Sequence, residues 1–201
     1  MSKKSLDRKE NQKFIIDSRN KGITDQDIYN TLSQQHYDKR AVALLITGTV
    51  TTEKRNKYKL YNNILIGLLG LSILFKILGV INLTIETGTL WTLLLMLIVP
   101  LIAGYFIYEI ARYNGAVYKI CGLLTLAGFF MTIAKTVKAE NVTDILANII
   151  FSGAVAGLSF YLDKKMFPNY NPNKLKKDSN GEYILIQKPT DNKKRADEEI
   201  E

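Results

Sequence analysis

Residues 90–111 read LWTLLLMLIVPLIAGYFIYEIA, with Glu109 their one charged side chain. At about 1.5 Å per helical residue, a run of this length matches a hydrocarbon core about 30 Å thick. Lipid offers no partner to a free backbone amide, so such a run must be a helix. Three more stretches of similar length follow the same reading: residues 61–82, 116–137 and 142–162. Four spans in sequence, joined by short loops, predict antiparallel neighbours in one bundle. Pro100 inside the second span predicts a kink there.

The first span contains Lys76, and magnitudes decide whether it still inserts. Thirteen Ile, Leu, Phe and Val residues lie in this span. Together they contribute about −6 kcal/mol against roughly +3 for a central lysine. Lys76 is expected to snorkel toward the interface beyond Asn82. Insertion wins.

Charge is segregated to match. Of 27 Lys and Arg residues, 13 lie in residues 1–60 and nine in 163–201, which leaves five between them. Lys54, Arg55, Lys57 and Lys59 form a basic connector, residues 53–60, before the first span, where anionic lipid headgroups are the expected partner. Arg112 and Lys119 flank the loop between spans two and three, and Lys164 and Lys165 follow the fourth. The positive-inside rule then puts both termini in the cytoplasm of a plasma or inner membrane. The opening MSKKSLDRKENQ has no apolar core of a signal peptide, which agrees with a cytosolic N-terminus.

Residues 1–52 read as three short helices. Gly22 suits the end of the first, Thr24 with Asp27 three residues on suits the start of the second, and Asp38 suits the start of the third. Ile28, Leu32 and Leu45 fall on one apolar stripe and are the expected residues for docking a cytosolic protein partner. His36 is expected to lie solvated in a loop. This order of helix, Gly-Ile-Thr, helix, turn and helix resembles the tri-helical pattern of bacterial helix-turn-helix domains. The resemblance covers about forty residues and implies a DNA reader in the third helix. That helix, however, opens with Lys39 and Arg40 and then turns apolar, which argues against nucleic acid as partner.

Residues 163–201 form the cytosolic tail. Pro168 to Asn173 favours turns, and Lys174–Lys177 are expected on headgroups. Asn180-Gly181 marks a turn before Glu182–Ile186, a strand that must pair or dock to be stable. From Pro189 onward, disorder is expected.

Within the bundle, Ser152, Gly153 and Gly157 make a small-residue stripe, expected to pack against another span or a second copy in a homo-oligomer. Asn82 and Asn148 are the expected interhelical hydrogen-bond donors. No P-loop, dinucleotide fingerprint, His-Glu-x-x-His or Gly-x-Ser-x-Gly motif occurs. Catalytic residues, metal ligands and cofactors are therefore not expected. The fold expected is all-α: a four-helix transmembrane bundle with a small three-helix cytosolic N-terminal module. The function expected is non-enzymatic binding or regulation, with a small oligomeric channel or transporter and a membrane-tethered DNA-binding regulator as alternatives.

Overall fold

The computed structural model describes residues 7–36, 38–87, 90–136, 142–170 and 175–185. Those residues are almost entirely helical: α1 (Arg8–Asn20), α2 (Asp25–Gln35), α3 (Lys39–Thr47), α4 (Thr52–Thr87), α5 (Leu90–Ala111), α6 (Gly115–Thr136) and α7 (Val142–Met166). One small antiparallel pair, β1 (Lys176–Lys177) and β2 (Tyr183–Ile184), completes them. The chain divides into two compact units: Met1–Thr52 with Phe167–Glu201, and Glu53–Met166.

In the first unit, side chains define the helix starts. Asp7 accepts from the amides of Lys9 and Glu10, Thr24 from Asp27 and Asp38 from Ala41. The Thr24 hydroxyl also donates to the Asp27 carboxylate at 2.6 Å, so an Asp serves in the position where Glu is usual. The first helix ends in a Schellman turn: Ile23 N–H donates to Ser18 O and Gly22 N–H to Arg19 O, with Gly22 at φ +80°. The interior is built from Ile15, Ile28, Leu32, Val42 and Ile46, closed by Tyr183 and Leu185 from the tail. Lys176 and Lys177 are strand residues paired with Ile184 and Tyr183, their side chains exposed. The 178–182 turn, with Gly181 at φ +79°, brings the two short strands back on each other. The charged end from Pro189 lies outside the described residues.

His36 corrects an expectation. It is buried, with Nε2 3.3 Å from Asn11 Oδ1, because the α2–α3 turn folds back on α1.

In the second unit, α4 extends five residues beyond the expected end at Asn82, since no Gly or Pro lies between Asn82 and Gly88. The α5 limits coincide with those read from sequence, and α6 and α7 differ by one turn or less. Helix α6 packs most extensively on α7, and less so on α5. Gly122 permits the close approach: a Cβ there would meet the Phe160 ring at 2.9 Å. Among the described residues, two helical segments are long and apolar enough to cross a membrane, Thr52–Leu78 and Leu146–Met166. Shorter apolar stretches occupy Pro100–Ala111 and Gly115–Phe130.

The outward faces are apolar. Leu60, Ile85, Leu101 and Ile150 are each about two-thirds exposed or more, at 67%, 76%, 70% and 71%. A water-soluble monomer rarely shows contiguous apolar surface on this scale.

Candidate functional site

The residues expected to dock a partner do not form a surface. Ile28, Leu32 and Leu45 are 1%, 2% and 8% exposed, because their stripe faces the other helices and the tail hairpin. What the first unit presents instead is a latch. The Gln26 side-chain amide donates to Tyr183 O at 3.2 Å and accepts from Leu185 N–H at 2.8 Å, extending the hairpin edge as a strand would. Tyr29 donates to Glu182 at 2.9 Å and accepts from Tyr183 N–H. Lys39 pairs with the same Glu182. Lys39, one of the two basic residues that open α3, is therefore engaged within the chain.

Burial, reinforced by Glu182, pushes the Tyr29 phenol up to about 12 from its ordinary 10.0. The folded state holds this proton more tightly than the unfolded state. Its stabilisation is complete below pH 10 and fades as pH rises through about 12. Alkaline unfolding of the first unit should therefore lose on the order of 2 kcal/mol more in wild type than in Tyr29→Phe. Circular dichroism of the full chain between pH 9 and 12 reads this difference; parallel curves for the two proteins would refute it.

A polar network ties the helices at one end of the second unit. Tyr118 donates to Asn62 Oδ1 at 2.6 Å, and Asn62 Nδ2 donates to Ile110 O at 3.3 Å, linking α4, α5 and α6. In the α5–α6 turn, Asn114 donates to Glu109 at 2.6 Å and its Oδ1 accepts from Ala116 N–H, capping α6. Tyr58 and Tyr61 pack edge-on against Tyr161, which joins α4 to α7. The Arg55 guanidinium lies 4.8 Å from the Tyr113 ring centroid. These contacts bring the start of α4, the α5–α6 turn and the end of α7 together. Lys54, Arg55, Lys57 and Lys59 thereby share one end with Arg112, Lys119, Lys164 and Lys165. Of these eight, all but the half-buried Lys54 are exposed.

Deeper in the same unit, all four helices line a cavity of about 360 Å³. Its polar lining is Ser72 and Lys76 from α4, Thr125 from α6, and Asn148 and Ser152 from α7. Lys76 lines this cavity and is exposed at its mouth. The reason is the stripe Asn62, Leu65, Leu69, Ser72 and Lys76, spaced three and four apart, whose apolar members are buried. That spacing was a visible signal for both Asn62 and Ser72, neither of which stood out as an isolated residue.

The small-residue stripe of α7 also divides. Ser152 turns inward with Val155, Ala156 and Leu162, whereas Gly153 and Gly157 have open space where a Cβ would stand. Among the described residues, no atom of another span lies within 4 Å of a Cβ built at either glycine. The side chain of Asn82 lies outside the described residues. No family model matches the chain, and neither does any curated protein or solved structure.

Proposed function

We propose that the chain is a four-span integral membrane protein of non-enzymatic, binding or regulatory type, with both termini cytosolic. The observation that carries the membrane reading is the outward apolar surface of α4 to α7, which lipid solvates and water does not. Helices α5 and α6 have 22 residues each, about 33 Å of helix, and so complete the set begun by α4 and α7. The basic end of the bundle marks its cytosolic side by the positive-inside rule, and Lys54, Arg55, Lys57 and Lys59 bind anionic headgroups there. The first unit is a folded module on that side which docks a cytosolic protein. The non-enzymatic reading is supported by the single histidine and single cysteine belonging to different units.

A channel or transporter is the second reading, favoured by the polar-lined cavity. Single cysteines at Asn30, Thr87 and Arg112 in a Cys121→Ser background test the topology. In sealed right-side-out vesicles, a membrane-impermeant maleimide should label position 87 and spare 30 and 112 until the vesicles are opened. Labelling of all three at once would overturn the four-span arrangement.

A further inference from the structure

The polar groups around the cavity sit at mid-depth of the proposed bilayer. At about 1.5 Å per residue, counted from the tyrosine end at Tyr61, Tyr118 and Tyr161, they fall at about 10 Å for Thr125, 14 Å for Ser152, 17 Å for Ser72, 20 Å for Asn148 and 23 Å for Lys76. A core about 30 Å thick offers none of them water from the lipid side. Five polar side chains from three helices nevertheless converge on one space. Intramembrane ionisable groups face such spaces when they serve a ligand or a pathway.

The composition of the lining indicates the ligand. Lys76 supplies one positive charge, while Ser72 one turn away on α4 and Asn148 and Ser152 on the facing α7 supply neutral donors. The Thr125 hydroxyl already donates to Cys121 O at 2.8 Å, so it serves as an acceptor. The remaining wall is apolar and aromatic, including Phe106, Phe129 and Phe151. One cation matches one unit of negative charge, and the aromatic wall matches a hydrocarbon chain. A cavity of about 360 Å³, open on one side, is of a size to take one acyl chain.

The geometry points to a binding site between α4, α5, α6 and α7 for a single-chain fatty acid, its carboxylate on Lys76 and its chain against the phenylalanines. The head lies at the exposed mouth and the tail reaches inward toward Leu69 and Val155. This inference rests on the membrane reading of the second unit, which the maleimide experiment checks separately.

Radiolabelled laurate binding to the full chain in zwitterionic nanodiscs tests it. Wild type should bind one laurate saturably, and dodecanol should compete at least tenfold more weakly than unlabelled laurate. Lys76→Met should lower laurate affinity about tenfold and abolish the preference for acid over alcohol. Ala103→Phe, which fills the cavity from α5, should weaken laurate and dodecanol alike. Three results would overturn the site: no saturable binding by wild-type protein that the maleimide pattern places in the bilayer, equal competition by acid and alcohol in wild type, or an acid preference that survives Lys76→Met.

Discussion

Replacing Arg19 with methionine is expected to unfold the first unit while leaving α4 to α7 intact. The guanidinium makes a two-pronged pair with Asp25, Nε to Oδ1 at 2.7 Å and Nη2 to Oδ2 at 2.9 Å. It also donates to Ile46 O at 2.8 Å and Thr49 O at 2.5 Å, so one side chain of α1 holds the start of α2 and the end of α3. Both partners are largely enclosed, with side chains 14% and 11% exposed. Methionine keeps the stem but strands the Asp25 carboxylate, and breaking a buried pair from one side costs about 3–5 kcal/mol. A unit of this size has a total stability of roughly 3–10 kcal/mol, so most of it goes. Hydrogen exchange by mass spectrometry on the full chain should show protection lost across α1, α2 and α3. Arg19→Lys, which keeps the charge and lacks the fork, should fall between. Unchanged protection in Arg19→Met would mean that the pair is dispensable.

Ile28→Asp is expected to abolish folding of the same unit outright. Ile28 is 1% exposed among Ile15, Leu32 and Ile46. The substitution removes about 1.5–3 kcal/mol of apolar burial and adds an unpaired charge where neither water nor a cation compensates it. The sum exceeds the 4–5 kcal/mol that marks an exceptional substitution. Ile28→Val should cost only about 0.5–1.5 kcal/mol and leave the unit folded. After crosslinking in native membranes, a partner of the module should co-purify with wild type and Ile28→Val, and be lost from Ile28→Asp although that chain still inserts. A partner retained by Ile28→Asp would place its docking surface elsewhere.

The helix starts were legible because capping is local: Thr24 and Asp38 lie within three residues of the amides they bind. The apolar runs were legible because length and hydropathy need no knowledge of neighbours. The cavity was missed because residues were read by their distance from helix ends. Lys76 was weighed only against Asn82, and its register with Leu65 and Leu69, which brings it to the cavity lining, was not used. Ile28, Leu32 and Leu45 were recognisable as one stripe, but a stripe does not say whether it faces a partner or its own chain. The Arg19–Asp25 pair gave no signal, since its four contacts depend on where three helices meet. The strand at Tyr183 was visible, and so was its need for a partner. That the partner lies some 150 residues earlier was not.

The hairpin bears on the order of events during synthesis. Gln26, Tyr29 and Lys39 leave the ribosome early, yet the residues they bind, 182–185, follow all four apolar helices. At 5–20 residues per second, the intervening chain takes on the order of ten seconds or more to make. Throughout that interval the nascent N-terminal helices exist without their last piece, and the apolar patch that Tyr183 and Leu185 later cover stays open. Completion of the module therefore waits for the tail: a chain truncated anywhere before residue 182 lacks the cover that Tyr183 and Leu185 give to Ile15, Ile28 and Leu32.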